Sequence, residues 1–164
     1  MKKLTLLLAT ALIAFSTAFA QDAMPDVVIK TLNGETVHAN TLGNGEGPSV
    51  VAFWATWCSP CKKELDAYAE YYDDWQEDMG VEVYAVTIDT RRALSKVKPM
   101  VESKGWEFPV LSDANSELMQ ALNFQTVPQV FIVDKDGKIV YSHSGYVPGD
   151  EMEIEERLVA LTKG

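Results

Sequence analysis

The 164-residue chain has two cysteines, Cys58 and Cys61, three positions apart within Trp57-Cys58-Ser59-Pro60-Cys61. That spacing suits a disulfide that opens and closes. If a helix begins here, Cys58 sits just ahead of its first turn and Cys61 one turn inside, so the two sulfurs can approach bonding distance. Pro60 fits a first turn, where its missing N–H would have had no partner. The free N–H groups and positive dipole end of a helix start favour an anion, which at Cys58 is the thiolate. A thiol of pKa about 8.5 is only roughly 3% ionised at pH 7, whereas one near 7 is about half ionised. Cys58, the more accessible sulfur, is the expected nucleophile; it captures a substrate disulfide, and Cys61 resolves the mixed disulfide. Lys62 and Lys63 read as solvated and receive no role.

Other uses of the pair fit less well. A metal centre needs further ligands, and His38 and His143 are distant in sequence, so no metal or cofactor is expected. A structural staple is a poor use of a ring this small, because it restrains the unfolded chain very little. His38, His143 and Tyr146 are left unassigned.

The elements that would position the cysteines are legible around them. Ser49 to Trp54 runs apolar without alternation, as in a strand buried on both faces. After the cysteines, Cys61, Leu65, Tyr68, Tyr72, Trp75 and Met79 recur every three or four residues, a helical stripe that Gly80 ends. Val81 to Ile88 reads as a second strand. Asp89 or Thr90 is expected to cap a helix through Leu94, Val97 and Val101, kinked or split at Pro99. A short strand (Phe108 to Leu111) and a short helix (Asn115 to Leu122) follow.

Two hairpins flank this alternation. Val27–Thr31 and Glu35–His38 enclose Asn33-Gly34, and Gln129–Val133 and Lys138–Ser142 enclose Asp136-Gly137. A last helix begins at Asp150, with Glu153 completing a capping box. Alternating strands and helices place the chain in the α/β class.

Composition limits the rest. The first twenty residues read as a secretory signal: Lys2 and Lys3, an apolar run from Leu4 to Phe19, and small residues around Ala20. The run is short for a membrane span, which needs about 20 residues; an uncleaved anchor is the alternative. Cleavage near Ala20 leaves residues 21–164 as a single domain, exported to the periplasm or secreted. The whole chain carries a net charge of −10, and losing two lysines makes the mature part more acidic still. Such a surface disfavours nucleic acid.

The stretch Phe53-Trp54-Ala55-Thr56-Trp57-Cys58-Ser59-Pro60-Cys61-Lys62-Lys63-Glu64 resembles the active site of the TlpA-like and ResA-like thioredoxins of bacterial envelopes. The likeness continues through the Asn33-Gly34 hairpin, Thr126-Val127-Pro128 and Asp136-Gly137. It implies a thioredoxin fold: a central mixed sheet flanked by helices, an N-terminal β-hairpin, and an inserted strand–helix unit between Cys61 and Pro128. It also implies a cis peptide before Pro128, opposite the cysteines. Val127 would then offer its backbone to a substrate strand. Trp57, Val127 and Pro128 would bind substrate; Trp54, Ser59, Pro60 and Thr126 would support the site; Gly145 and Pro148 would shape the loop beside it.

The resemblance implies a thiol–disulfide oxidoreductase that reduces disulfides of exported proteins and is recharged by a membrane thiol donor; a monomer is expected. Two features depart from the pattern. Thioredoxins commonly carry a buried acid where this chain has Ala52, and ResA-like proteins often have Glu where it has Ser59. Asp89, or a bound water, is the expected proton relay instead. Two alternatives stay open. One is a peroxidase of peroxiredoxin type, against which Ala55 stands where a Thr is usual. The other is a redox-inert binding module, against which stands the complete active-site pattern.

Overall fold

The computed structural model describes residues 23–43 and 45–163, so the signal reading of residues 1–20 lies outside them. Val28–Thr31 (β1) and Thr36–His38 (β2) form the first hairpin. Its turn places Gly34 at φ 90°, a conformation that a Cβ would strain. Ser49–Trp54 (β3) is buried at every position, which explains its unbroken apolar run.

The stripe that follows becomes helix α1, Ser59–Met79, ended by Gly80 in the left-handed region. Beyond it come Glu82–Thr87 (β4), Val97–Lys104 (α2), Val110–Ser112 (β5) and Glu117–Ala121 (α3). Gln129–Val133 (β6) and Ile139–Ser144 (β7) make the second hairpin, and Asp150–Thr162 (α4) closes the fold.

Among the described residues seven strands join one sheet in the order β2-β1-β5-β4-β3-β6-β7. The three central strands β5, β4 and β3 are parallel, and the strands on either side run antiparallel to them. This is the expected α/β architecture with its central mixed sheet, early hairpin and additional strand and helix. One core lies between the sheet and α1, with Trp54, Leu65, Trp75, Trp106 and Leu158. The other covers the opposite face with Ile29, Phe53, Val86, Leu118 and Phe131. β3, central in the sheet and with a core on each face, ends at the cysteines.

Three expectations about helix starts are corrected. No helix is capped by Asp89 or Thr90: a turn closes from Ala93 N–H to Thr90 C=O, a 3-10 turn spans Leu94–Lys96, and α2 begins at Val97. Pro99 therefore lies in the first turn of α2 and kinks nothing, since N–H groups there have no intrahelical partner. At α4 the capping position is Gly149, with φ 110° and no side-chain cap. Asp150 instead accepts the Val147 N–H at 2.8 Å, and Glu153 pairs with Arg157 at 2.9 Å.

Candidate active site

Strand β3 delivers the chain to the loop Ala55–Trp57, and α1 begins at once. Cys58 is the capping residue of α1, with extended backbone, and Pro60 occupies its first turn. Cys58 and Cys61 are joined as a disulfide, their Cα atoms 5.4 Å apart. The Cys61 N–H points at Cys58 Sγ at 3.3 Å. Cys58 thus occupies the place where a serine or aspartate oxygen would cap the helix, and its sulfur faces an N–H that stabilises negative charge. Cys61 is fully buried, whereas Cys58 retains a small exposed surface.

Around the pair, Trp57 stands out at 69% exposed, and Ser59 and Pro60 are exposed beside it. Trp54 is buried beneath, edge-on to Trp106 with ring centroids 5.1 Å apart. The Val127–Pro128 peptide is cis, as the resemblance implied. Phe53 pairs with Gln129 across β3 and β6, so Pro128 lies at the end of β3 that leads into the cysteines. The Pro128 carbonyl accepts the Gly145 N–H at 2.9 Å, tying the loop after β7 to this end of the sheet. Val127 is half-buried and Thr126 exposed. The Val127 N–H and C=O make no backbone hydrogen bond among the described residues, which leaves them open to an added strand.

Asp89 is placed as a brace. At 2% exposed, it accepts the Thr56 N–H (2.8 Å), the Thr56 hydroxyl (2.8 Å) and the Thr87 hydroxyl (2.7 Å). The two bonds from Thr56 pin the loop two residues before Cys58, and the third ties the carboxylate to the end of β4. Lys62, read from sequence as merely solvated, holds the same loop through its ammonium, which donates to the Thr56 carbonyl at 3.1 Å.

A second buried acid escaped the sequence reading. Glu64 lies on α1 three residues after Cys61 and is 1% exposed, so the two side chains are neighbours on one face of the helix. Its Oε1 accepts the Tyr68 hydroxyl at 3.3 Å, and its Oε2 has no hydrogen-bond partner among the described residues. Burial raises its pKa from 4.5 to about 8, opposed in part by the Tyr68 bond and reinforced by Asp150. At neutral pH the carboxyl is largely protonated, and it can take up or release a proton near that pH. The signal was present: Glu64 sits three after Cys61 and four before Tyr68, inside the buried stripe. Among the described residues no group of three or more His, Cys, Asp or Glu could hold a metal ion.

Residues 20–142 match the model of the AhpC/TSA family. The thiol–disulfide oxidoreductase ResA of Bacillus thuringiensis is 33% identical over 79% of this chain and 72% of its own length. The sporulation thiol–disulfide oxidoreductase A of Bacillus subtilis is 27% identical over 81% of this chain and 79% of its own. A thioredoxin-like protein of Porphyromonas gingivalis, known by its solution structure, superposes with a TM-score of 0.76 and is 44% identical. That match covers 85% of this chain and 92% of the other.

Proposed function

The chain belongs to the AhpC/TSA family and is a thiol–disulfide oxidoreductase of the ResA kind; from that premise we propose that it is exported and reduces disulfides in exported proteins. The observation that carries this reading is the position of Cys58, whose sulfur caps α1 and receives the Cys61 N–H. In the reduced protein the same geometry favours the Cys58 thiolate. It attacks one sulfur of a substrate disulfide, forming a mixed disulfide and expelling a substrate thiolate. Cys61 then attacks Cys58 Sγ, restoring the Cys58–Cys61 bond and releasing the second substrate thiolate. Two electrons pass to the substrate.

Cys61 is buried and must lose a proton before it attacks. We assign that proton to Glu64, its neighbour on the helix, and give Asp89 the bracing role. An ionised Glu64 takes the thiol proton and becomes the neutral acid that its surroundings favour. Trp57, Val127 and Pro128 form the substrate surface: an exposed aromatic beside a backbone open to strand addition. Trp54, Ser59, Pro60 and Thr126 support it. The reading includes removal of the leader near Ala20, action as a monomer in the periplasm or outside the cell, and recharging by a membrane thiol donor. The envelope lacks the glutathione buffer of the cytosol.

The test is direct. The leader-free protein should reduce insulin, and Cys61→Ser should accumulate mixed disulfides with exported proteins in cells. A Cys61→Ser protein that traps nothing, together with a reduced wild type inert towards insulin at pH 7, would overturn the proposal.

A further inference from the structure

The large apolar side chains that the described residues expose most gather at the redox end of the molecule. Trp57 is one. The others are Val147, 63% exposed, and Met152, 61% exposed. They lie in the loop between β7 and α4 and in the first turn of α4. A scattered apolar residue on a surface needs no explanation. A fixed loop that holds one out in water beside a reactive disulfide does.

This loop is braced along its whole length. Gly145 and Gly149 bound it at φ 85° and 110°, conformations that a side chain strains. The Gly145 N–H donates to the Pro128 carbonyl, and the Ser144 hydroxyl donates to Gln129 Oε1. The loop therefore starts from the substrate surface itself. At its far end Asp150 Oδ2 accepts the Val147 N–H at 2.8 Å and meets His143 Nε2 at 3.2 Å. The Asp150 N–H returns a bond to the Val147 carbonyl at 3.1 Å. Glu151 Oε2 accepts the Gly149 N–H at 3.0 Å and the Tyr146 hydroxyl at 2.9 Å. Both backbone polar groups of Val147 are thus engaged inside the loop, while its side chain stands in solvent.

We propose that this loop is a specificity element: Val147 meets an apolar side chain of the substrate polypeptide, and Asp150 and Glu151 are the positioning residues that present it. The inference rests on the reading of Val127 and Pro128 as the place of strand addition, with which the loop is continuous. In a strand added there with its cysteine directed at Cys58, the residues two positions either side of that cysteine point the same way. They face the surface that Trp57 and Val147 flank. The occupant is an extended segment with a large apolar residue two positions from its cysteine. Because the loop is already fixed, little ordering is needed when the segment binds.

Two peptides are the probe, each joined through a single cysteine to glutathione, one with leucine and one with serine two positions either side of that cysteine. Mixed with the reduced protein, the leucine peptide should show a KM about tenfold lower at the same kcat, the scale of one apolar side chain partly buried. Val147→Ser should cut this preference about threefold or more. Val140→Ser, which alters an exposed apolar residue of β7, should leave it intact. Glu151→Ala should raise the KM of the leucine peptide several-fold at unchanged kcat, and Glu151→Gln, which keeps an acceptor, should restore it. A preference indifferent to Val147→Ser, a Glu151→Ala effect that Glu151→Gln does not restore, or a dimer in sedimentation that Val147→Ser dissolves would each overturn the assignment. If neither peptide is reduced, the reductase reading falls and this one with it; if both are reduced with equal KM, this one falls alone.

Discussion

Two carboxylates are buried close in sequence or space to the loop that carries the cysteines, and their surroundings differ in kind. Asp89, at the end of β4, meets three donors from Thr56 and Thr87. Glu64, inside α1, meets one hydroxyl and leaves an oxygen unpaired. Equal burial therefore serves different ends. A carboxylate saturated with donors is a fixed anchor, because protonating it breaks bonds on which the loop depends. A carboxylate starved of donors is held neutral by its surroundings and becomes a proton carrier. The supply of hydrogen bonds, more than depth, separates scaffold from chemistry in this site.

The pH dependence of stability tests that contrast most severely. Folding raises the Glu64 pKa from 4.5 to about 8. Its contribution to stability is therefore fully present below about pH 4.5 and is lost as pH rises through about 8. The loss across this window is as much as about 5 kcal/mol. Glu64→Gln, neutral at every pH, should flatten this part of the profile, measured by urea unfolding of the oxidised protein at several pH values. An equally steep fall in the Gln variant would remove the contrast.

The anchor is tested next. Asp89→Ala strips the partners from a buried N–H and two hydroxyls, and should cost about 3 kcal/mol in the same unfolding experiment. The rate of exchange gives a third measurement. Glu64→Gln should slow release of the mixed disulfide by up to about a hundredfold near neutral pH, the scale of a lost general base. Asp89→Asn should leave the shape of that pH profile intact. If Asp89→Asn reshapes the profile and Glu64→Gln does not, the two roles are reversed.

Why one acid was legible in the sequence and the other was not has a physical answer. Strand β3 shows in the sequence because full burial leaves an unbroken apolar run, and the cysteines show because their spacing matches one helical turn. The hairpins show through Asn33-Gly34 and Asp136-Gly137, where the backbone itself demands glycine. Asp89 stood out as an acid at the end of a β-rich segment, but its partners Thr56 and Thr87 are brought to it by strand pairing, which no local pattern encodes. Glu64 was lost among the many acids of α1, nearly all of them solvated. The cap expected at Asp89 and the capping box expected at Asp150 failed for a related reason: Thr56 and Thr87 claim Asp89, and the Val147 N–H claims Asp150, which does begin α4.

Lys62 supplies the finest discrimination between anchoring and chemistry. Its ammonium donates to the Thr56 carbonyl, so it joins Asp89 in holding the loop but is only half-buried. An interaction open to water is screened and competes with hydration, so Lys62→Met should cost less than about 1 kcal/mol. The positive charge also lies near the Cys58 sulfur in sequence, and a cation there would favour the thiolate. The two effects separate by salt and by observable. A bracing lysine alters unfolding and leaves the thiolate titration, followed by absorbance at 240 nm, where it was. A lysine that acts on the sulfur shifts that titration upward when removed, and the shift shrinks in high salt. We expect the first outcome, because the hydrogen bond to Thr56 directs the ammonium at the loop backbone.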